Sequence, residues 1–280
     1  MKNILLPTDF SDNSIHAINH ALKMFSKDSC HFYLLHSYES ILENMAQMQI
    51  SAAEIGVEET AKKASKERLQ EILHKVTTLY KNSKHTFEII SGSGELTKEI
   101  KKLVDQKQID YVVMGTKGTT GSKEVLYGSN TVDVFKKATC PVLVIPKKAE
   151  YKTVKDILFA TDYGIDFQAK SLKPLQAIAK EQGAKVHILH VSLSNGLTAK
   201  QQTNRLKLNE YLENSNHDFH DVSNDDVQPA IVEFQEQHPV DMLVMINNKH
   251  SFFENLFFAS RINKIGFHIG IPFLVIPSYL

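Results

Sequence analysis

The sequence has little cysteine, no excess of charge of either sign and no long apolar run. Its two cysteines, Cys30 and Cys140, stand in no CxxC or other metal-type spacing, so a disulfide framework is not indicated. Lysine plus arginine equals aspartate plus glutamate at 32 each, which gives no general attraction to nucleic acid or to an anionic membrane. No stretch approaches the roughly 18 apolar residues of a membrane span, and the start, MKNILLPTDFSDNS, is not typical of a signal peptide. These absences predict a cytoplasmic protein with neither nucleic acid nor membrane as a partner.

The chain repeats itself in three places and in the same order. The matching segments are KNILLPTDF (2–10) with KDILFATDY (155–163), FYLLHSY (32–38) with VHILHVS (186–192), and residues 112–146 with 243–277. The last pair aligns without a gap and ends in the shared residues Pro, Leu, Val, Ile and Pro. Ordered matches indicate a duplication. The sequence therefore predicts two domains, 1–148 and 153–280, joined by a polar stretch at 147–153.

Short apolar strands alternate with amphipathic helices in both halves. The predicted strands are 3–6, 31–36, 86–90, 111–114 and 141–145, followed by 157–159, 186–190, 219–222, 242–246 and 273–276. The predicted helices between them include 58–80, 95–107, 131–137, 168–181, 199–214, 227–237 and 261–267. Several strands lack polar alternation, which is typical of parallel strands buried on both faces. The predicted fold class is α/β, with two tandem, doubly wound, five-stranded parallel sheets flanked by helices.

The loop after the fourth strand carries the chemistry that points to a ligand. In open parallel sheets, ligands sit outside the carboxyl ends of the strands, near the point where strand order reverses. Gly115 and Gly118 are separated by two residues, nine more precede Gly128, and Ser129 follows at the start of a helix. Glycines let backbone N–H groups approach phosphate oxygens, and a helix N-terminus favours an anion. Asp9, just after the first strand, can accept hydrogen bonds from a ribose hydroxyl or an adenine amino group.

Two common nucleotide motifs are missing. The sequence has no GxxxxGK[ST] loop and no GxGxxG after its first strand, so it is neither a P-loop protein nor a dinucleotide-binding one. The residues alone also leave a plainer reading open, in which the glycines only make turns and Asp9 only caps the first helix.

The pattern Gly-x2-Gly-x9-Gly-Ser resembles the ATP-binding pattern of the universal stress protein family. Pro7-Thr8-Asp9 resembles the end of that family's first strand, and CPVLVIP (140–146) resembles its last strand. The resemblance covers nearly the whole chain, twice. It implies Rossmann-like domains of the adenine nucleotide α-hydrolase type, which bind ATP, with or without Mg²⁺, in the N-terminal domain only.

The resemblance also implies a set of contact residues. The adenosine pocket would be lined by Pro7, Thr8 and Asp9, and the backbone of Ser37 would meet adenine. The sugar and phosphates would lie against Met114, Gly115 and Gly118, and the distal phosphates would be held by Gly128, Ser129, Asn130 and Thr131. The final strands of the two halves would pair as an intramolecular pseudo-dimer, and further homo-dimerisation is left open.

The second half has lost the glycines of this loop. At the aligned positions stand Ile246, Lys249 and Ala259, and only Ser260 remains. A β-branched isoleucine disfavours the open loop and would crowd a phosphate, so no ATP site is predicted there. The segment from Phe252 to Phe258 is rich in phenylalanine. It is interpreted either as a surface for a protein partner or as rings packed beneath the domain.

No catalytic residue and no metal site is predicted. The histidine pairs His16/His20 and His217/His220 have spacings that can bind a metal, but neither has a third ligand nearby in sequence, so they are read as surface histidines. Cys140 lacks a recognisable partner base.

The function that follows is nucleotide binding with a regulatory, stress-response role and no fast catalysis, with slow ATP hydrolysis left open. One alternative is a scaffold that binds no nucleotide. Another is a nucleotide α-hydrolase-type enzyme, which needs an HxGH or SGGxDS motif. The sequences PTDFSDNS and TDYGIDFQ fit neither motif.

Overall fold

The chain folds into two compact α/β units, Met1–Lys147 and Lys148–Leu280. The computed structural model describes residues 1–39, 56–116, 129–192, 196–223, 227–247 and 270–278. Both units are parallel sheets flanked by helices, so the predicted fold class is confirmed. The predicted pairing of the two halves as a pseudo-dimer stays a prediction.

The first unit has five strands and four helices in its described residues. They are β1 (Lys2–Pro7), α1 (Asp12–Met24), β2 (Cys30–Ser37), α2 (Val57–Leu79), β3 (His85–Gly92), α3 (Leu96–Lys107), β4 (Tyr111–Gly115), α4 (Ser129–Lys137) and β5 (Val142–Ile145). The strands lie in the order β3-β2-β1-β4-β5, and each pairs with its neighbour in parallel. Strand order reverses between β1 and β4, which makes their carboxyl ends the expected place for a ligand.

The second unit repeats this arrangement. Its described elements are β6 (Asp156–Thr161), α5 (Ala169–Gln182), β7 (Lys185–Ser192), α6 (Ala199–Tyr211), β8 (His217–Ser223), α7 (Val227–Gln237), β9 (Met242–Asn247) and β10 (Phe273–Pro277). The order is β8-β7-β6-β9-β10, again parallel throughout. The equivalent reversal therefore falls between β6 and β9.

The central strands are buried on both faces, which explains their unbroken apolar runs. In β1, Ile4, Leu5 and Leu6 have no exposed surface, and the same is true of Leu158 and Phe159 in β6. Helices on both sides of each sheet leave no face for alternating polar residues. None of the helices in the described ranges is long and apolar enough to cross a bilayer.

Two local expectations differ from the structure. His20 is 3% exposed rather than at the surface, because it lies on the buried side of α1. Burial, with contributions from His16 and Lys23, lowers the pKa of His20 to about 4. The predicted helix 199–214 ends at Tyr211. The predicted helix 261–267 lies outside the described residues, as does most of the insertion after β2.

Candidate functional site

The turn after β1 is fixed by its own side chains. The Thr8 hydroxyl accepts a hydrogen bond from the Phe10 amide at 3.0 Å and shares one with the Ser14 hydroxyl at 2.8 Å. Asp9 Oδ1 accepts from both the amide and the hydroxyl of Ser11, at 3.1 and 2.6 Å. Ser11 in turn caps α1, because its hydroxyl accepts from the Ser14 amide at 3.2 Å. Asp9 thus supports the start of the helix, and this turn is rigid before any ligand arrives.

Phe10 occupies an unusual conformation within this turn. Its φ of 65° is in the left-handed region, which non-glycine residues rarely adopt. The ring centroid lies 4.3 Å from that of the His36 ring and 4.1 Å from the Arg68 guanidinium carbon. Contacts with an aromatic ring and with a cation offset the backbone strain. This conformation could not be predicted from local sequence, since it depends on partners from β2 and α2.

His36 is a neutral structural residue beside the turn. Burial and the nearby Arg68 lower the pKa of His36 to about 4, against an opposing effect of Asp9. The ring Nδ1 and the Ser65 hydroxyl lie 2.9 Å apart in a hydrogen bond. His36 therefore holds the aromatic ring of Phe10 and carries no charge at neutral pH, as expected for a residue of the fold.

Gly115 is required by packing at the end of β4. A Cβ at this position would lie 2.5 Å from Asn13 Nδ2 and 2.9 Å from the Asn13 carbonyl oxygen. The register of β1 against β4 pairs Ile4 with Tyr111 and, if continued, places Thr8 beside Gly115. The first turn of α1 therefore presses against the end of β4, and only glycine fits this approach. Phosphate binding or a turn explained Gly115 from the sequence alone, and the structure adds close packing against Asn13 as a further reason.

Thr131 ties the start of α4 to the same strand end. Its hydroxyl donates to the carbonyl oxygens of Gly115 at 3.2 Å and Thr116 at 3.4 Å, and the residue is 2% exposed. The N-terminus of α4 is thereby held at the carboxyl end of β4. Helix N-termini present free N–H groups and partial positive charge to an anion.

Ser37 stands at the carboxyl end of β2. Its hydroxyl donates to the Gly94 carbonyl at 2.6 Å, so the side chain fastens the loop after β3. The remaining predicted contact residues divide into two groups. Pro7, Met114 and Asn130 are at the strand and helix ends around the same crevice. Gly118, Gly128 and the side chain of Ser129 lie outside the described residues, so their predicted roles stay predictions.

The second unit has the same kind of turn after its first strand, but it lacks the glycine at the end of its fourth strand. The Thr161 hydroxyl accepts from the Tyr163 amide at 3.1 Å, and Tyr163 has a φ of 52°. Its ring stacks on His190 with centroids 4.7 Å apart, whereas the contact between Phe10 and His36 is tilted. At the end of β9, however, Ile246 is 7% exposed where the first unit has Gly115. Lys249, Ala259, Ser260 and the segment from Phe252 to Phe258 lie outside the described residues.

Cys140 offers no nucleophile. It is 3% exposed, and burial, followed by the nearby Asp110 carboxylate, raises the pKa of its thiol to about 12. The thiol is therefore protonated at neutral pH and belongs to the core.

The fold defines a class of protein, a tandem of doubly wound α/β domains in which strand order reverses between β1 and β4 and again between β6 and β9. A sequence model of the universal stress protein family matches residues 1–146 and again 153–277. The chain belongs to the universal stress protein family.

Individual relatives agree with this assignment. A universal stress protein of Methanocaldococcus jannaschii is 32% identical over 52% of this chain and 82% of its own length. One from Synechocystis is 23% identical over 98% of this chain and 99% of its own. The crystal structure of a universal stress protein from Archaeoglobus fulgidus covers 99% of this chain and 98% of its own, with a TM-score of 0.68 at 19% identity. The last similarity concerns the fold alone.

Proposed function

We propose that the first unit binds ATP or a related adenine nucleotide at the carboxyl ends of β1 and β4, in a regulatory, stress-response role without fast catalysis. The observation that carries the proposal is the convergence at the reversal of strand order. Asp9, Gly115 and the N-terminus of α4 meet there, and Gly115 begins the intact glycine pattern of the loop.

Each part of the crevice suits one part of a nucleotide. The Asp9 carboxylate is half-buried and positioned by Ser11, so it can accept from a ribose hydroxyl or an adenine amino group. The N-terminus of α4 suits phosphate oxygens, because its N–H groups and dipole favour negative charge. Thr131 holds this helix end against β4 without needing the ligand.

A binding role fits better than rapid turnover. Near the described part of the crevice, the carboxylate of Asp9 is engaged by Ser11 and the imidazole of His36 is bonded to Ser65. Neither is placed as a general base with a free approach to a phosphate. Slow hydrolysis in a bound state is compatible with this arrangement. The cytoplasmic location stays a prediction.

The second unit is proposed not to bind nucleotide in this manner. Ile246 places a branched side chain at the position where the first unit has Gly115, and a branched residue disfavours the open loop that phosphate binding needs. The scaffold alternative, in which neither unit binds nucleotide, makes the opposite prediction for the first unit.

Equilibrium binding of labelled ATP to the full-length chain tests the proposal. We expect binding in the wild type and at least a tenfold weaker affinity in Gly118→Val, because a branched side chain blocks backbone contact with phosphate. Lys249→Val, at the aligned position of the second unit, is the matched control and should bind like the wild type. No binding at millimolar ATP, or equal binding by both variants, would reject the proposal.

A further inference from the structure

A second cluster of polar side chains lies in the other unit, at the amino ends of its strands. His187 comes from β7, Asp218 and His220 come from β8, and Asp156 begins β6. We call these four residues the amino-end cluster. Register places them on one face of the sheet, because Asp218 pairs with His187 and His220 follows two residues later. The carboxyl ends of these strands, where a nucleotide site would lie, are at the opposite edge.

Three ligand atoms of the cluster converge on one point. His187 Nδ1 lies 3.0 Å from Asp218 Oδ1 and 3.3 Å from His220 Nε2, and the last two atoms are 2.9 Å apart. A tetrahedral Zn²⁺ with ligands at about 2.1 Å separates its ligand atoms by about 3.4 Å. The triangle is therefore slightly tighter than one face of a zinc site, and small side-chain movements would match it.

The ring protons of the two histidines are too few to place a hydrogen bond along every side of this triangle of atoms. His187 Nε2 lies 3.0 Å from Asp156 Oδ1 and Nδ1 lies 3.0 Å from Asp218 Oδ1, but a neutral ring has only one proton for these two contacts. Consider the tautomer in which Nε2 carries that proton and donates it to Asp156. In the neutral ring, Nδ1 then presents a lone pair, and an ionised Asp218 presents only lone pairs. Two such atoms 3.0 Å apart repel each other unless a cation lies between them. A metal ion or a second proton on His187 would supply that cation, and the experiment below distinguishes them.

The surroundings position these ligands as in a metal site. A carboxylate that accepts from the remote nitrogen of a histidine fixes the ring and makes the other nitrogen a better ligand, and Asp156 does this for His187. Lys185 Nζ holds the other oxygen of Asp218 at 2.6 Å, which leaves Oδ1 facing the triangle. His187 is 5% exposed, so the site is shielded on that side.

The rings of Phe234 and His238, at the end of α7, pack against the cluster. His238 stacks on Phe234 with centroids 4.1 Å apart, and its ring centroid lies 5.4 Å from that of His220. His238 Nδ1 contacts the Phe234 carbonyl at 3.3 Å, which fixes the orientation of its ring. The apolar face of Phe234 limits the access of water to the triangle, with its centroid 4.9 Å from that of His220.

At the equivalent position in the first unit, a lysine side chain supplies the positive charge. Tyr33 and Glu88 pair across β2 and β3 as His187 and Asp218 pair across β7 and β8. There Lys107 Nζ lies 3.0 Å from Glu88 Oε1 and 5.3 Å from the Tyr33 ring centroid. The repeat aligns Lys107 with His238 and gives His220 a counterpart, Ile90, that cannot bind a metal.

We propose that His187 Nδ1, Asp218 Oδ1 and His220 Nε2 bind one Zn²⁺, with water in the fourth position, and that the ion locks β7 to β8. The three ligands match the nitrogen and oxygen donors that Zn²⁺ takes in proteins. Sequence reasoning missed the site because it paired His220 with its neighbour His217. His187 lies 33 residues before His220, and only the parallel register brings them together.

The test uses the full-length chain, free of any affinity tag and stripped of metal by a chelator. Zn²⁺ is titrated in competition with a chromophoric chelator, and the thermal midpoint is measured with and without Zn²⁺. The variants are His220→Gln and Asp218→Asn, which are partly exposed sites. The matched control is His217→Gln, a histidine of the same strand whose ring contacts the Ser215 carbonyl and Asn209 instead.

We expect one Zn²⁺ per chain in the wild type and in His217→Gln, with a thermal midpoint that rises on adding the ion. Affinity should fall at least tenfold in His220→Gln and in Asp218→Asn, and the rise in thermal midpoint should disappear. Co²⁺ in place of Zn²⁺ should give the strong visible bands of a tetrahedral site in the wild type and in His217→Gln, and weaker or no bands in His220→Gln and Asp218→Asn. Binding that is equal in His220→Gln and His217→Gln, or no binding at micromolar Zn²⁺, would overturn the proposal and leave a protonated His187 as the explanation.

Discussion

The two units of the chain share the turn after their first strand and differ at the edges where ligands would bind. In both turns the threonine hydroxyl and the aspartate carboxylate accept from the amide two residues later, and the aromatic residue has a positive φ and lies against a histidine ring. The turn is therefore a property of the fold and says little about a ligand. The informative difference is Gly115 against Ile246 at the end of the fourth strand of each unit.

At the amino ends of the strands, it is the second unit that has the side chains suited to a ligand. In the first unit, Lys107 neutralises Glu88 without outside help, whereas the second unit places His187, Asp218 and His220 around one point. Under the two proposals, the first copy of the duplicated domain keeps a nucleotide site at the carboxyl ends of its strands, and the second acquires a metal site at the amino ends of its strands.

The largest expected effect comes from adding a side chain at Gly115, where Asn13 packs against the end of β4. Gly115→Ala should destabilise the chain by about 2–3 kcal/mol, because the new Cβ would lie 2.5 Å from Asn13 Nδ2. The urea midpoint of unfolding measures this. Gly270→Ala in the second unit is the control, since a Cβ there meets nothing within 4 Å, and it should stay within about 0.5 kcal/mol. Equal stability of the two variants would show that Asn13 does not press on β4.

The second expected difference between the units is in how the free energy of unfolding depends on pH. The pKa of His36 is lowered by burial to about 4, from an ordinary 6.5, so the unfolded chain takes up this proton at higher pH than the folded one. The stability that this residue contributes is complete above pH 6.5 and is lost as pH falls toward 4, on the order of 2–3 kcal/mol. In His36→Gln the free energy of unfolding should therefore fall less steeply over this window.

His190 is the matched residue of the second unit. Burial lowers its pKa too, but Asp221 opposes the shift through a contact of 3.1 Å. His190→Gln should change the slope between pH 6.5 and 4 less than His36→Gln does. Urea titrations at four or five pH values measure both slopes, and a larger effect in His190→Gln would contradict this explanation.

A smaller effect is expected where α4 is tied to β4. Thr131→Val keeps the shape of a buried side chain but removes the hydroxyl that donates to Gly115 and Thr116. We expect a loss of about 1 kcal/mol and a weaker affinity for ATP, because the helix N-terminus loses its anchor. Thr77→Val is the control, since its hydroxyl bonds only within its own helix. Unchanged ATP affinity in Thr131→Val would remove α4 from the proposed site.

The smallest effect should come from removing the ion pair between Lys107 and Glu88 in the first unit. Lys107→Met removes an ion pair whose side chains are 34% and 41% exposed, so the urea midpoint of unfolding should change only slightly. Lys101→Met, on the exposed side of the same helix, is the comparison. A much larger drop in the midpoint for Lys107→Met than for Lys101→Met would mean that the ion pair is tighter than its exposure indicates.

Much of the fold followed from the sequence because the central strands are short, unbroken apolar runs between turn residues. The third strand was predicted at 86–90 and spans His85–Gly92, and the helix predicted at 58–80 spans Val57–Leu79. Local patterns decide such elements. The repeat also identified the two halves and the position at which the second lost its glycine.

The rest depended on contacts between distant residues. The positive φ of Phe10 requires His36 and Arg68, which stand 26 and 58 positions later in the chain. The steric need for Gly115 arises from Asn13 on another element, and the amino-end cluster arises from the register of β7 against β8. Sequence spacing contains none of these distances, so they could not be predicted from local pattern.

The most direct test of the central claim is the number of ATP molecules bound per chain, measured by equilibrium dialysis with a matched pair of variants. Asp9→Asn and Asp162→Asn change equivalent residues and keep one acceptor oxygen for the turn. We predict one ATP per wild-type chain, at least tenfold weaker binding in Asp9→Asn and unchanged binding in Asp162→Asn. Two ATP molecules per chain, none, or a loss of affinity in Asp162→Asn alone would contradict the assignment of the nucleotide site to the first unit.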